Sequence, residues 1–195
     1  LIAYTMGIGN TMASIFGGNP LVYSISFFLA LMSLVYLGLN VIKNSELIFN
    51  ICVILLIITL LALSVFHIDT NNLKYFDFAK IFFPYGVILF AFLGAPAVPE
   101  MREVLIKKRS YLKRSIIIGT LIPIFFYTLF AIVVLGVTGS NTTEVATIGL
   151  GSIMGEKMLL LGNFFAIFAM STSFLTLGFA IKSMFMYDYK LKPDV

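Results

Sequence analysis

The stretch Phe90-Ala91-Phe92-Leu93-Gly94-Ala95-Pro96-Ala97-Val98-Pro99-Glu100 lies inside an apolar segment that is long enough to cross a bilayer. A regular helix cannot pass through it unbroken, because Pro96 and Pro99 each lack an N–H and crowd the carbonyl four residues back. Gly94 loosens the backbone further. At membrane depth a broken helix persists only where it is buried in protein or faces water, and transporters build substrate sites at such breaks. We therefore predict a broken helix with a binding site; the alternative is a proline kink packed against neighbouring helices.

The composition indicates an all-α integral membrane protein. Hydrophobic residues make up 60% of the 195 residues, charged residues 11%, and the mean hydropathy is +1.04. Strands of a membrane barrel would alternate polar and apolar residues over about ten positions, whereas these apolar runs are continuous. The chain begins inside an apolar segment, so we expect it to be an internal part of a longer permease-like protein. Cys52 is the one cysteine, which excludes an intrachain disulfide and favours a packing role.

Six apolar stretches, separated by short polar segments, predict six membrane crossings, of which the fourth is the broken one. Pro123 predicts a kink in the fifth, and residues 142–154 predict a short helix before the sixth. The stretches are Leu1–Phe16, Leu21–Leu39, Leu47–Phe66, Ile81–Ile106, Ser115–Val137 and Leu159–Tyr187.

The distribution of basic residues predicts the orientation in the membrane. The connections 40–46 and 100–114 and the tail from Lys182 carry ten Lys and Arg residues, whereas the connections on the other side carry three. By the positive-inside rule the loop 100–114 and the C-terminal tail are cytoplasmic, in the plasma or inner membrane of the cell. The net charge of +4 therefore indicates topology and contact with the lipid bilayer rather than a nucleic-acid partner.

No enzymatic signature occurs in the sequence, so we predict no catalytic residue, no enzyme activity and no cofactor. HExxH, GxSxG, a glycine-rich phosphate loop and a cluster of metal-ligand residues are all absent. Glu100, next to the break, has two interpretations. It is either a proton or cation partner at the inner edge of the break, or a carboxylate that stabilises the start of the second half-helix through the helix dipole.

The two halves of the broken span predict complementary binding groups. The first half ends in free carbonyls around Phe90, Phe92 and Leu93, which attract an ammonium group. The second half begins near Val98 with exposed N–H groups, which attract an anion. Together with the phenylalanine side chains, these groups suit a zwitterion with a hydrophobic side chain, such as an amino acid. The predicted substrate-binding residues of this segment are Phe90, Phe92, Leu93, Gly94, Ala95 and Pro96.

Two other helices offer polar groups. The first span has a small, polar face that permits close approach, and Tyr4, Gly7 and Asn10 on it are further predicted substrate-binding residues. In the sixth span Thr172 and Ser173, with the carbonyl of Ala169, form a ridge of oxygens able to coordinate a coupling cation such as Na⁺. The alternative is that these hydroxyls bond to their own backbone or to another helix.

Several segments resemble one family. The broken span 90–99, the segment Ile118–Pro123, and Thr172–Leu175 with Phe185–Tyr189 are similar to the sixth, seventh and eighth helices of the amino acid/auxin permease family. The bacterial tyrosine and tryptophan permeases, within the amino acid-polyamine-organocation superfamily, are particularly similar. The resemblance covers the whole chain, as helices three to eight.

The resemblance implies the five-plus-five inverted-repeat fold of the bacterial leucine transporter, with residues 1–195 forming part of one transmembrane transporter domain. It implies an amino acid, aromatic or otherwise hydrophobic, bound between helices one and six and lined by helices three and eight. Ala169, Thr172 and Ser173 match the spacing of sodium-site residues in sodium-coupled relatives, whereas the aromatic amino acid permeases couple to protons. The coupling ion, H⁺ or Na⁺, therefore stays open, as does the oligomeric state.

The leading functional prediction is a secondary transporter that takes up amino acids, driven by an ion gradient. Two alternatives use the same architecture: an ion channel, because a broken helix can line a filter, and a non-transporting membrane sensor of the same fold. A symporter differs from both in accumulating its substrate against a gradient.

Overall fold

The computed structural model describes residues 1–74, 77–95, 97–143 and 145–188. The described residues form helices and turns without a strand, which confirms the all-α prediction. The helices are α1 (Ile2–Phe16), α2 (Pro20–Leu37), α3 (Leu39–Ser64), α4 (Tyr85–Ala91), α5 (Ala97–Val104), α6 (Leu112–Thr138), α7 (Ala146–Met154) and α8 (Glu156–Asp188).

Four helical segments are long and apolar enough to cross a membrane: Pro20–Leu37, Leu39–His67, Arg109–Asn141 and Glu156–Met186. Their surfaces carry many exposed apolar side chains, as expected where lipid replaces water as the solvent. The predicted second, third, fifth and sixth spans are therefore helices of spanning length. The helix α6 continues through Pro123, and the short helix predicted before the last span is α7.

The chain divides into two compact units, each built from separate parts of the sequence. The first unit comprises residues 1–55, 96–112 and 163–195, and the second comprises residues 56–95 and 113–162. The boundaries fall inside α3 and α8, which contribute to both units, at the break between α4 and α5, and after the first residue of α6. That all 195 residues belong to one transporter domain stays a prediction.

In the first unit, α1 and α2 form an antiparallel hairpin whose turn is specified locally. Gly17 and Gly18 have φ angles of 73° and 90°, in the left-handed region that glycine tolerates best. The side chain of Asn19 then accepts a 2.9 Å hydrogen bond from the N–H of Leu21, and Pro20 occupies the first turn of α2.

The core of this unit is apolar and joins α1, α2, α3 and α8. The ring of Phe174 is fully buried and meets Phe28 edge-on, with ring centroids 6.0 Å apart. The other buried members of the cluster are Ile8, Leu31, Val35, Ile42, Ile167, Leu175 and Phe179.

In the second unit, the end of α6 is tied to the loop after α3. The carbonyl of Gly136 accepts hydrogen bonds from the N–H of Asp69 and from the side-chain amide of Asn72, each 2.9 Å long. The hydroxyl of Ser64 contacts the sulfur of Met154 at 3.5 Å, which links α3 to α7. Asp69 and Asn72 therefore hold the loop after α3 on the end of α6.

The polar run at residues 40–46 is helical, and the prediction that it is a connection between spans is wrong. The helix α3 begins at Leu39, eight residues before the predicted start of the third span. Gly38, with a φ angle of 98°, makes the turn from α2 alone, so no further residue is needed as a loop. Glu46 consequently projects from a helix.

Candidate functional site

The predicted interruption is present. The helix α4 ends at Ala91 and α5 begins at Ala97, one residue earlier than predicted. The first half is shorter than the sequence suggested, because residues 81–84 form turns and α4 starts only after Pro84. The break therefore separates a helix of seven residues from one of eight.

Hydrogen bonds within a tight turn occupy two of the backbone carbonyls that the sequence predicted to be free. The carbonyl of Phe90 accepts a 3.1 Å hydrogen bond from the N–H of Leu93, and that of Phe92 accepts a 2.8 Å bond from the N–H of Gly94. The expectation of free carbonyls is therefore wrong for Phe90 and Phe92, although each oxygen keeps a second lone pair. Pro96, also a predicted binding residue, lies outside the described residues.

The side chains of the break differ in their surroundings within the second unit. Phe90 and Leu93 are exposed, at 69% and 61%. Phe92 packs against Tyr127 of α6, with ring centroids 5.6 Å apart. Gly94 is open, because the nearest heavy atom to a methyl group placed there would be the Phe92 carbonyl oxygen at 3.9 Å. Ala95 is exposed.

The predicted residues of α1 lie three positions apart, so they share one side of that helix. Tyr4 and Gly7 are half-buried and Asn10 is exposed. A methyl group at Gly7 would come within 2.6 Å of the sulfur of Met170 on α8, so α1 and α8 approach closely here. The structure thus brings the small face of α1 against α8 at Met170.

The hydroxyl ridge of α8, formed by Thr172 and Ser173 with the carbonyl of Ala169, has hydrogen bonds to its own backbone, as the alternative interpretation predicts. Thr172 and Ser173 donate to the carbonyl of Ala169 over 2.9 and 3.1 Å. Their oxygens keep lone pairs, so a role in binding a cation stays a prediction. Ser171, whose hydroxyl donates to the carbonyl of Ile167, is buried and belongs to the helix interior.

The predicted binding residues are divided between the two units. Tyr4, Gly7 and Asn10 belong to the first unit, as does the hydroxyl ridge, whereas residues 90–95 belong to the second. The structure brings α1 and α8 together through Gly7. That they form one site with the break stays a prediction.

Two carboxyl groups meet in the first unit, and the sequence indicated only one of them as functional. Glu100, in the first turn of α5, is 8% exposed and its side chain hydrogen-bonds with that of Glu46 on α3. Glu46 also accepts a 2.8 Å hydrogen bond from the hydroxyl of Thr176 on α8. Glu46 was missed because the polar run that contains it looked like a loop. The signal that could have found it is its position directly before the apolar run from Leu47.

Comparison with known proteins identifies the family. The sequence model of the tryptophan/tyrosine permease family matches residues 1–194. The chain belongs to this family. No curated protein and no solved structure matches it. The resemblance found in the broken span and the following helices is thereby confirmed.

Membership of the permease family establishes the class of function. This is a family of transporters, so the prediction that the protein is not an enzyme is confirmed. The family and the four apolar helices together make the chain a multi-pass membrane protein, and its class is that of a membrane transporter with an amino acid as the small-molecule substrate. Within the described residues, no three His, Cys, Asp or Glu side chains are grouped to hold a metal ion.

Proposed function

We propose that this permease is a secondary active transporter that couples amino acid uptake to an ion gradient, and that its substrates carry aromatic or other hydrophobic side chains. The observation that carries the proposal is the interruption between α4 and α5 in an otherwise apolar segment. The name of the matched family, which specifies tryptophan and tyrosine, supports the aromatic class.

The proposed fold is the five-plus-five inverted repeat, with this chain as helices three to eight. In that arrangement α1, α2 and α3 are helices three to five, and α4 with α5 is the broken sixth. The helices α6 and α8 are the seventh and eighth, and α7 belongs to the loop between them. The order and lengths of the helices support this assignment.

The proposed substrate site uses backbone dipoles for the polar ends of the amino acid. The carbonyl end of α4, including the oxygen of Leu93, receives the ammonium group, and the N–H groups at the start of α5 receive the carboxylate. Phe90 and Phe92 supply apolar contact for the side chain. The remaining proposed contacts are Tyr4, Gly7 and Asn10 on α1, and Gly94, Ala95 and Pro96 in the break.

The coupling ion in this proposal is H⁺ or Na⁺. The ridge of Ala169, Thr172 and Ser173 is the proposed place for a cation, supported by the convergence of both hydroxyls on one carbonyl. No organic cofactor takes part. The basic loop 100–114 and the C-terminal tail, part of which lies outside the described residues, are proposed to be cytoplasmic.

The test is uptake of radiolabelled amino acids into proteoliposomes that contain the full-length protein. We expect tryptophan, tyrosine or phenylalanine to accumulate above the outside concentration when a proton or sodium gradient is imposed. Lysine and glutamate are the matched controls, because their charged side chains do not suit an apolar wall. Equilibration without accumulation, for every amino acid and both gradients, would contradict ion coupling.

A further inference from the structure

The carboxyl pair Glu46 and Glu100 joins three helices that are distant in sequence. Glu46 comes from α3 and Glu100 from α5, directly after the break, and Thr176 of α8 donates to Glu46 over 2.8 Å. All three belong to the first unit. The contact therefore fastens the half-helix α5 to α3 and α8.

This contact requires a proton. An ionised carboxylate only accepts hydrogen bonds, so two ionised carboxylates cannot bond to each other. When one of them takes up a proton, its O–H donates to an oxygen of the other, and the pair then carries one negative charge in place of two. The hydroxyl of Thr176 cannot replace this proton, because its single O–H is already engaged, shared between Glu46 at 2.8 Å and the carbonyl of Thr172 at 3.1 Å.

The surrounding charges favour a bound proton. The charged groups that act on Glu100 are Glu46 of α3 and Glu103 of α5, both carboxylates. From α8 the pair meets the neutral hydroxyl of Thr176. The nearest basic side chains in sequence, Lys43 on α3 and Arg102 on α5, are exposed. Loss of the proton would leave two adjacent like charges, with Glu100 buried and Glu46 half-buried, where their repulsion is stronger than in bulk water.

We propose that Glu46 and Glu100 bind one proton between them and act as a pH-sensitive latch that holds α5 against α3. Protonation closes the latch. Release of the proton makes the two carboxylates repel each other, and α5 separates from α3 about the break at residues 92–95. The inference rests on the proposed transport function and specifies it further, because it takes H⁺ as the coupling ion and names these two residues as its carriers.

Neutral variants of the pair test the latch in transport. In Glu100→Gln the side-chain amide donates to Glu46 permanently and cannot release a proton. We expect its proton-driven accumulation of radiolabelled tryptophan and tyrosine to fall about tenfold or more. Exchange of labelled for unlabelled substrate at equal pH needs no net proton movement and should stay within about twofold of the wild type. Glu46→Gln should behave in the same way.

The matched control is Glu156→Gln, the same change at an exposed position at the start of α8. It should accumulate substrate as the wild type does. Retained proton-driven accumulation in both Glu46→Gln and Glu100→Gln, or wild-type accumulation driven by Na⁺ alone, would overturn the proposal. Loss of exchange in parallel with accumulation in both variants would also overturn it, because the pair would then be structural.

A second readout does not depend on the substrate. Infrared difference spectra of the full-length protein, recorded as the pH is raised, should show the C=O stretching band of a protonated carboxyl group disappear. The band should be absent in Glu100→Gln and present in Glu156→Gln. If no amino acid is transported but the band behaves in this way, the latch stands and the proposed function fails. If transport is intact and Glu100→Gln keeps the band, the latch fails.

Discussion

Gly9 allows α1 and α2 to approach each other at backbone distance. A methyl group at this position would come within 2.5 Å of the Pro20 carbonyl oxygen and would also collide with the hydroxyl of Ser24. Helices in a membrane gain little from burying apolar surface against each other, so close packing of small residues provides much of their attraction. The stability of the hairpin should therefore depend on the absence of a side chain at Gly9.

Gly9→Ala should lower the melting temperature of the purified full-length protein in detergent. Overpacking of this kind costs about 1–3 kcal/mol, and the Pro20 carbonyl belongs to the backbone and cannot move aside easily. The matched control is Gly119→Ala on α6, where the added methyl group would meet no heavy atom of the described residues within 4 Å. That variant should be unchanged or gain up to about 1 kcal/mol from helix propensity.

Equal melting temperatures for the two variants would contradict the close approach of α1 to α2.

At this scale the sequence predicted part of the outcome. The small face of α1 was visible from its composition, because small residues recur on one side of a helix. The bond from Thr176 to Glu46 was not visible, since the two residues are 130 positions apart and their meeting depends on the packing of α3 against α8.

At the scale of helices, the end of α2 is stabilised by a side chain from α8. The ammonium group of Lys182 donates to the carbonyls of Val35 and Tyr36 over 3.1 and 3.0 Å, and it lies 5.9 Å from the centre of the Tyr36 ring. These carbonyls belong to the last turn of α2, where no helical N–H is available to them. A cation there also meets the negative end of the helix dipole.

Lys182→Met keeps the aliphatic length of the side chain and removes its charge and its hydrogen bonds. We expect the free energy of unfolding to fall by about 1–2 kcal/mol, because the hydrogen bonds of a charged donor and its interaction with the helix dipole are lost. This figure is discounted for solvent screening, since the side chain is only half-buried. Thermal unfolding in detergent measures it. The control Lys157→Met, at an exposed position in the first turn of α8, should change the melting temperature little. A matching loss in the control would indicate a general effect of charge.

Helix interruptions were predictable where proline fixes them and less so elsewhere. The break after Ala91 follows from the two prolines and Gly94, which act locally. The late start of α4 involves Pro84, which directly precedes the helix. Because Pro84 lies within a continuous apolar run, the sequence did not indicate that the helix starts only after it. The early start of α3 depends on Gly38 making a one-residue turn, a conformation that composition alone does not specify.

At the scale of the whole molecule, the amino acid composition specified the class of protein, and the charge distribution predicts its orientation. In the predicted topology, ten of the thirteen Lys and Arg residues fall on the side of the loop 100–114, and three on the other. Basic residues near the ends of membrane helices are retained in the cytoplasm. Apolar length alone does not orient the helices, so the orientation is a separate prediction.

Two Ser→Cys variants in a Cys52→Ser background test the orientation in intact cells. Ser110 lies in the basic loop and Ser140 in the connection after α6, and both are exposed. A membrane-impermeant maleimide should label Ser140→Cys in intact cells and Ser110→Cys only after the membrane is permeabilised. Each variant is the matched control of the other, because serine and cysteine are nearly equal in size. Labelling of Ser110→Cys in intact cells would show that the topology is the reverse of the predicted one. The latch at Glu46 and Glu100 would then lie towards the outside of the cell. An inward proton gradient would protonate it there and close it before the substrate is released.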